Sequence, residues 1–183
     1  MASDTRWVPG MDNKLFLTGP PGSGKSTTML RFIELLRGRG YTVGGISTPE
    51  IRRGGQRVGF HVLDLSTGAM AVMSGVDIVS IARVGRYGVD VPGFESVALP
   101  ALDHAEEGCA VMCIDEIGRM ELLSAAFRRR VEELIQRPKP MIAVLHRGYV
   151  DQYGGLGRIY QVTPENRERL PQLLVFDIER GLG

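Results

Sequence analysis

The sequence predicts an α/β fold, a mostly parallel sheet with helices on both faces and one antiparallel hairpin. Three observations carry that prediction. Continuous apolar runs at 14–18, 110–114 and 141–145 read as short strands covered on both faces. Segments with apolar residues at helical spacing alternate with them. The first run leads into a glycine-rich loop and then a helix, the order in which parallel sheets hold phosphates.

Each element follows from local pattern. After a polar tail over 1–13, KLFLT at 14–18 is the first strand. Met29, Phe32, Ile33 and Leu36 mark the first helix, which Gly38 and Gly40 stop. Residues 41–47 form a second strand. Gly54 and Gly55 then turn into QRVGFHVLDLSTG, where Val58, Phe60 and Val62 alternate as in a half-exposed hairpin strand. A helix is expected over 94–107, kinked or restarted at Pro100. The run 110–114 ends in Asp115 and Glu116. Ser124 caps a helix whose apolar face is Phe127, Val131, Leu134 and Ile135, with Pro138 and Pro140 after its end. Another strand follows at 141–145, and a short one near 158–163. Thr163 and Pro164 match an N-cap with proline at the first helical position, opening a C-terminal helical region interrupted by Pro171.

Composition bounds the function. The chain has 183 residues, with 22 Lys and Arg against 21 Asp and Glu, for a net charge of +1. A chain of this size buries roughly 70% of its extended surface, enough for one core without staples, so 14–183 is read as a single domain. Near-neutral charge argues against bulk polyanion binding, and there is no clear nucleic-acid signal. No run nears the roughly 18 apolar residues of a membrane span, and the first residues lack the apolar core of a secretion signal. Cys109 and Cys113 are spaced wrongly for CxxC redox chemistry or a zinc knuckle and read as buried strand thiols. Together these features point to a cytoplasmic protein; oligomeric state is not legible.

Gly19, Pro20, Pro21, Gly22, Ser23, Gly24, Lys25 and Ser26 spell GxxxxGKS, the Walker A pattern, with Thr27 beside it. Its chemistry needs glycines because the backbone must curl so that successive N–H groups point at phosphate oxygens. The helix that follows aims its positive end at the same anion. Lys25 supplies charge to the β and γ phosphates, and the Ser26 hydroxyl suits Mg²⁺.

Asp115 and Glu116 end a buried strand in the Walker B manner, where carboxylates are costly unless they face a ligand crevice. Asp115 is the expected Mg²⁺ partner, through a water. Glu116 suits a base that polarises the attacking water. No NKxD motif reads guanine, since Asn13 and Lys14 precede the loop and lack the Asp, so ATP, GTP, CTP and UTP are all expected substrates.

GPPGSGKST, TPEIRRGGQRVGF, RVGRYGVD, DEIGRMEL and VTPENR together resemble the small P-loop nucleoside-triphosphatases of the cancer-related and thermophile type, over roughly residues 14–170. The resemblance implies a RecA-like sheet and slow Mg²⁺-dependent hydrolysis of several nucleoside triphosphates to diphosphates, with Glu116 as base. One departure is Arg119, where the family often has lysine; arginine keeps the charge but changes reach and geometry.

Other charged residues have open roles. Arg83, Arg86 and Arg119 are candidates for an arginine that stabilises the transition state. Arg52, Arg53 and Arg57 flank the Gly54–Gly55 turn, either solvated or holding a phosphate or second substrate. Arg128, Arg129 and Arg130 read as a solvated helix face, and His146 falls where a γ-phosphate sensor can sit. His61 and His104 read as incidental. The competing activity is a kinase passing the γ-phosphoryl group to a nucleoside, nucleotide or RNA end. A third reading is a nucleotide-gated binding module.

Overall fold

The computed structural model describes residues 13–182, so the polar tail expected over 1–13 lies, except for Asn13, outside the described residues. The first half of the chain runs β1 (Lys14–Thr18), α1 (Lys25–Gly38), β2 (Val43–Ser47), β3 (Glu50–Arg53), β4 (Gln56–Asp64), β5 (Met70–Gly75), β6 (Arg83–Val84) and β7 (Tyr87–Val89). The second runs α2 (Val91–Gly108), β8 (Val111–Ile117), α3 (Ala125–Gln136), β9 (Met141–Leu145), α4 (Val150–Tyr153), β10 (Arg158–Gln161) and α5 (Leu170–Arg180).

One ten-stranded sheet has the order β10-β1-β9-β8-β2-β4-β5-β7-β6, with β3 paired to β4. β10, β1, β9, β8 and β2 are mutually parallel and form the centre of the molecule. From β4 outward the pairing is antiparallel. The expected β3–β4 hairpin is present, and the antiparallel part extends well beyond it.

The parallel strands are buried throughout β1, β2 and β9, as strands covered on both faces must be. Strand alternation divides their side chains between two cores. Leu15 and Leu17 face a layer with Phe32 and Leu36 of α1 and Leu174 and Ile178 of α5. Phe16 faces the opposite layer, with Phe94 and Leu102 of α2 and Phe127 and Leu134 of α3. Lys14, at the start of β1, is fully buried; its ammonium donates to Asn13 Oδ1 (2.7 Å), Arg137 O (2.8 Å) and Lys139 O (2.7 Å), tying β1 to the exit of α3. Burial pulls that ammonium down to about 8.

Several boundaries differ from the sequence reading. β2 begins at Val43 rather than at 41, and β8 continues through Asp115 and Glu116 to Ile117. The Asp115–Glu116 peptide is cis, and the ladder to β9 slips between Asp115 and Ile117. α2 starts at Val91, capped by Asp90, which accepts from Gly93 N at 3.0 Å. Pro100 lies inside that helix without ending it, because Phe94, Ala98, Ala101, Leu102 and Ala105 keep one face packed on the core. Thr163 does not cap a helix: its N–H donates to Asn166 Oδ1 at 2.9 Å in a turn, and α5 begins only at Leu170. Pro171 therefore sits in the first turn, where its missing N–H costs nothing. Strands β5, β6 and β7 had no counterpart in the sequence reading; they are short, and β5 is buried only at its far end.

Candidate nucleotide and acid site

The loop from β1 to α1 is shaped by its glycines. Gly19 takes φ 151°, and a Cβ there would lie 2.7 Å from Val162 O. Gly24, at φ 100°, stands at the N-cap of α1 with no side-chain cap, which leaves first-turn N–H groups free for an anion. The Lys25 ammonium donates to Gly19 O (3.0 Å) and Pro20 O (2.9 Å), folding over the start of the loop. Gly19, Pro21, Gly22, Gly24, Lys25, Ser26 and Thr27 face a cleft of about 690 Å³. Pro20 contributes its carbonyl to Lys25, whereas Ser23 is buried, its hydroxyl without a partner.

Across the cleft from the loop stand the carboxyls of Asp115, Glu116 and Glu121. β9 lies between β1 and β8, so the acids on β8 approach the loop from one strand away. Asp115 is buried, which pushes it up to about 6, while the Ser26 hydroxyl and Lys25 favour its ionised form. Glu116 is pushed up to about 7, first by burial and then by Asp115, with Lys25 opposing. Glu121 lies in a single 3-10 turn after β8 and is buried, with Oε2 unpartnered. Burial and the neighbouring Glu116 hold it well above the usual carboxylate range. Gly118 explains how the two glutamates approach each other: a side chain there would collide with Glu116 Oε1 and Glu121 Oε2. Lys25 is itself pulled down by burial, an effect that Glu116 and Asp115 oppose.

The cations around the cleft are only partly those the sequence singles out. Arg119 lines it, together with His146 at the end of β9. His146 Nδ1 accepts from Gly148 N at 3.0 Å, and burial, then Arg119, pulls the imidazole below its ordinary value. Arg83 and Arg86 do not line the cleft. Arg83 donates to Arg86 O (3.0 Å), and Arg86 to Arg57 O (2.5 Å), so both are spent on the β6–β7 turn and its neighbour. Of the turn arginines, Arg53 is exposed beside Asp77, Arg52 pairs with Glu50 at 2.7 Å, and only Arg57 reaches the cleft. Arg130 departs from the solvated reading: only 17% exposed, it pairs with Asp103 and Glu106 of α2 because α2 and α3 pack side by side. His61 and His104 do not line the cleft.

Among the cleft residues that escaped the sequence reading are Glu121, Arg147 and Arg167 beside the loop and the acids. Arg147 directly follows His146, and Arg167 reaches over Gly24 from the turn after β10, so that a Cβ added at Gly24 would lie 3.1 Å from Arg167 Cδ. The available signal was the place of Glu121 in DEIGRMEL, of Arg167 in VTPENR and of Arg147 next to His146.

A family model described as NTPase matches residues 14–175. The chain is 42% identical over 170 residues to nucleoside-triphosphatase THEP1 of Pyrococcus abyssi, covering 93% of this chain and 94% of that protein. It is 39% identical over 169 residues to the protein of the same name from Methanocaldococcus jannaschii, covering 92% and 99%. The crystal structure of THEP1 from Aquifex aeolicus superposes with a TM-score of 0.78 at 31% identity, covering 91% of this chain and 99% of that one. The solution structure of a human cancer-related nucleoside triphosphatase gives 0.76 at 33% identity, covering 91% and 97%.

Proposed function

This chain belongs to the NTPase family and is a nucleoside-triphosphatase, a hydrolase; from that premise we propose that it splits the γ-phosphate from ATP, GTP, CTP and UTP alike in a Mg²⁺-dependent reaction. The single observation that carries the proposal is the convergence of a glycine-capped helix start and Lys25 with buried Asp115 and Glu116 across one cleft. Backbone N–H groups of the loop and Lys25 hold the phosphates, which are common to all nucleotides, so base identity matters little.

Ser26 and Asp115 fit Mg²⁺ in their chemistry: a hydroxyl and a carboxyl, hard oxygen donors, set against each other beside the loop. When bound, that ion would neutralise charge building on the phosphate oxygens. Glu116 has the character of a base at neutral pH: near 7 it is ionised often enough to act and still basic enough to draw a proton from water. Arg119, Arg147 and Arg167 line the same cleft and add cations to meet the departing charge. Residues 14–183 act as one unit, and the two free buried cysteines accord with a cytosolic setting.

Initial rates of phosphate release from the four nucleotides test this reading. Comparable rates with Mg²⁺, abolished by chelation, are expected. A strong preference for one base, or full activity in chelator, would refute it.

A further inference from the structure

The cleft continues past the acids. Beyond Glu116 its wall is made by the antiparallel strands: Glu50, Arg57, Phe60, Met73 and Val84, with Thr48 at the join. The Thr48 hydroxyl donates to Asp115 O at 2.9 Å, so this wall is continuous with the acidic strand. The attacking water occupies only about 30 Å³ and needs polar partners, which Phe60, Met73 and Val84 do not offer.

The wall is also organised in advance. The Arg57 guanidinium lies 5.2 Å over the Phe60 ring, donates to Tyr87 Oη at 3.1 Å and pairs with Glu50 at 3.1 Å. Phe60 and Tyr87 meet edge to face, centroids 5.8 Å apart. Arg57 still keeps 45% of its side chain exposed. An apolar, aromatic surface with a few fixed polar groups is how sites for small organic ligands are built. Strand order sets this wall on β3 to β6 on the far side of the acids on β8 from the phosphate loop on β1.

We propose that this wall is a second subsite for a nucleoside, its planar ring against Phe60 and Arg57 and a sugar hydroxyl directed at Glu116. The proposal rests on the nucleotide site described above. A hydroxyl so held takes the place of water. Its oxygen bonds to the γ-phosphorus, the bond from that phosphorus to the β–γ bridging oxygen breaks, the hydroxyl proton passes to Glu116, and the nucleoside diphosphate leaves. Nothing is oxidised or reduced.

The test incubates the full chain with Mg²⁺, γ-labelled ATP and, separately, adenosine, guanosine, cytidine, uridine and thymidine, then separates free phosphate from labelled nucleoside phosphate. Labelled nucleoside phosphate is expected with at least one of the five. Phe60→Leu, which keeps an apolar side chain but removes the ring, should cut it about tenfold while phosphate release without nucleoside stays within about twofold. Val84→Asp, on the short β6, should act likewise and stands in if Phe60→Leu does not fold. Label confined to free phosphate across all five nucleosides overturns the proposal and leaves hydrolysis standing. Transfer equal in wild type and both variants also overturns it. Transfer to nucleoside with no phosphate release in its absence keeps the subsite and overturns the hydrolase reading instead.

Discussion

Glu116 sits where turnover and binding can be separated. Its replacement by Gln keeps size and removes the proton acceptor, so kcat should fall about 10²-fold or more while nucleotide affinity stays nearly constant. Phosphate-release assays beside titrations with a fluorescent nucleotide check this, and an undiminished kcat rejects the base assignment. Its pH behaviour follows from the same environment. The kcat/KM profile reports the free enzyme, in which burial raises Glu116 to about 7 and Asp115 to about 6. Activity should therefore drop as pH falls below about 7, and the upper part of that acid limb should vanish in Glu116→Gln. Stability has the opposite slope. A carboxyl raised in the folded state binds more protons folded than unfolded, so its contribution is present at acid pH and lost as pH climbs through the folded value. Glu121, held well above the ordinary range, makes the case testable. In the ligand-free protein, the melting temperature of Glu121→Gln should gain on wild type between pH 5 and pH 8; a difference that does not change with pH would reject this. Nothing in the sequence marks Glu121 as buried, because its burial depends on α3 and the end of β8 closing over a single 3-10 turn.

The elements show where local signals suffice and where packing overrules them. Ser124 was legible as a cap and acts as one: its hydroxyl accepts from Phe127 N at 2.9 Å and also reaches Glu95 Oε1 of α2. Ser124→Ala should cost about 1 kcal/mol, read as a lower urea midpoint with unchanged slope. An unchanged midpoint would place the stability of α3 wholly in its apolar face. Proline was the weaker signal. Pro100 stays inside α2 because that helix is held by its buried stripe, and Pro171 starts α5 rather than interrupting one. The three arginines of α3 look alike in sequence, yet Arg130 alone is drawn into a cluster with Asp103, Glu106 and Glu133, since only its face meets α2.

For the whole molecule, ligand binding should register as stability. A non-hydrolysable triphosphate with Mg²⁺ at about 100 times its Kd would add about 2.7 kcal/mol. In a chain of this size that amounts to roughly 5–10 °C in melting temperature. Glu116→Gln should keep the shift and Lys25→Ala should lose most of it; a full shift in Lys25→Ala would remove the loop from the binding account. Strand order matters to this linkage because it spans the sheet. The parallel strands, taken in chain order, lie 5-1-4-3-2, so β9 separates the loop on β1 from the acids on β8.

Patterns with a local chemical need were written in the chain itself. A loop that must curl around an anion requires Gly19, Gly22, Gly24 and Lys25 in that order, buried parallel strands require unbroken apolar runs, and costly acids at a strand end require something to face. Those features made the parallel sheet and the phosphate loop readable. What tertiary structure alone decided is long-range: the insertion of β9 between β1 and β8, the antiparallel wall built by β3 to β7, and the choice of Arg57, Arg147 and Arg167 over Arg83 and Arg86 as neighbours of the cleft. Strand pairing between distant segments sets all three, and neither a residue's type nor its immediate neighbours encode which partner its strand will meet.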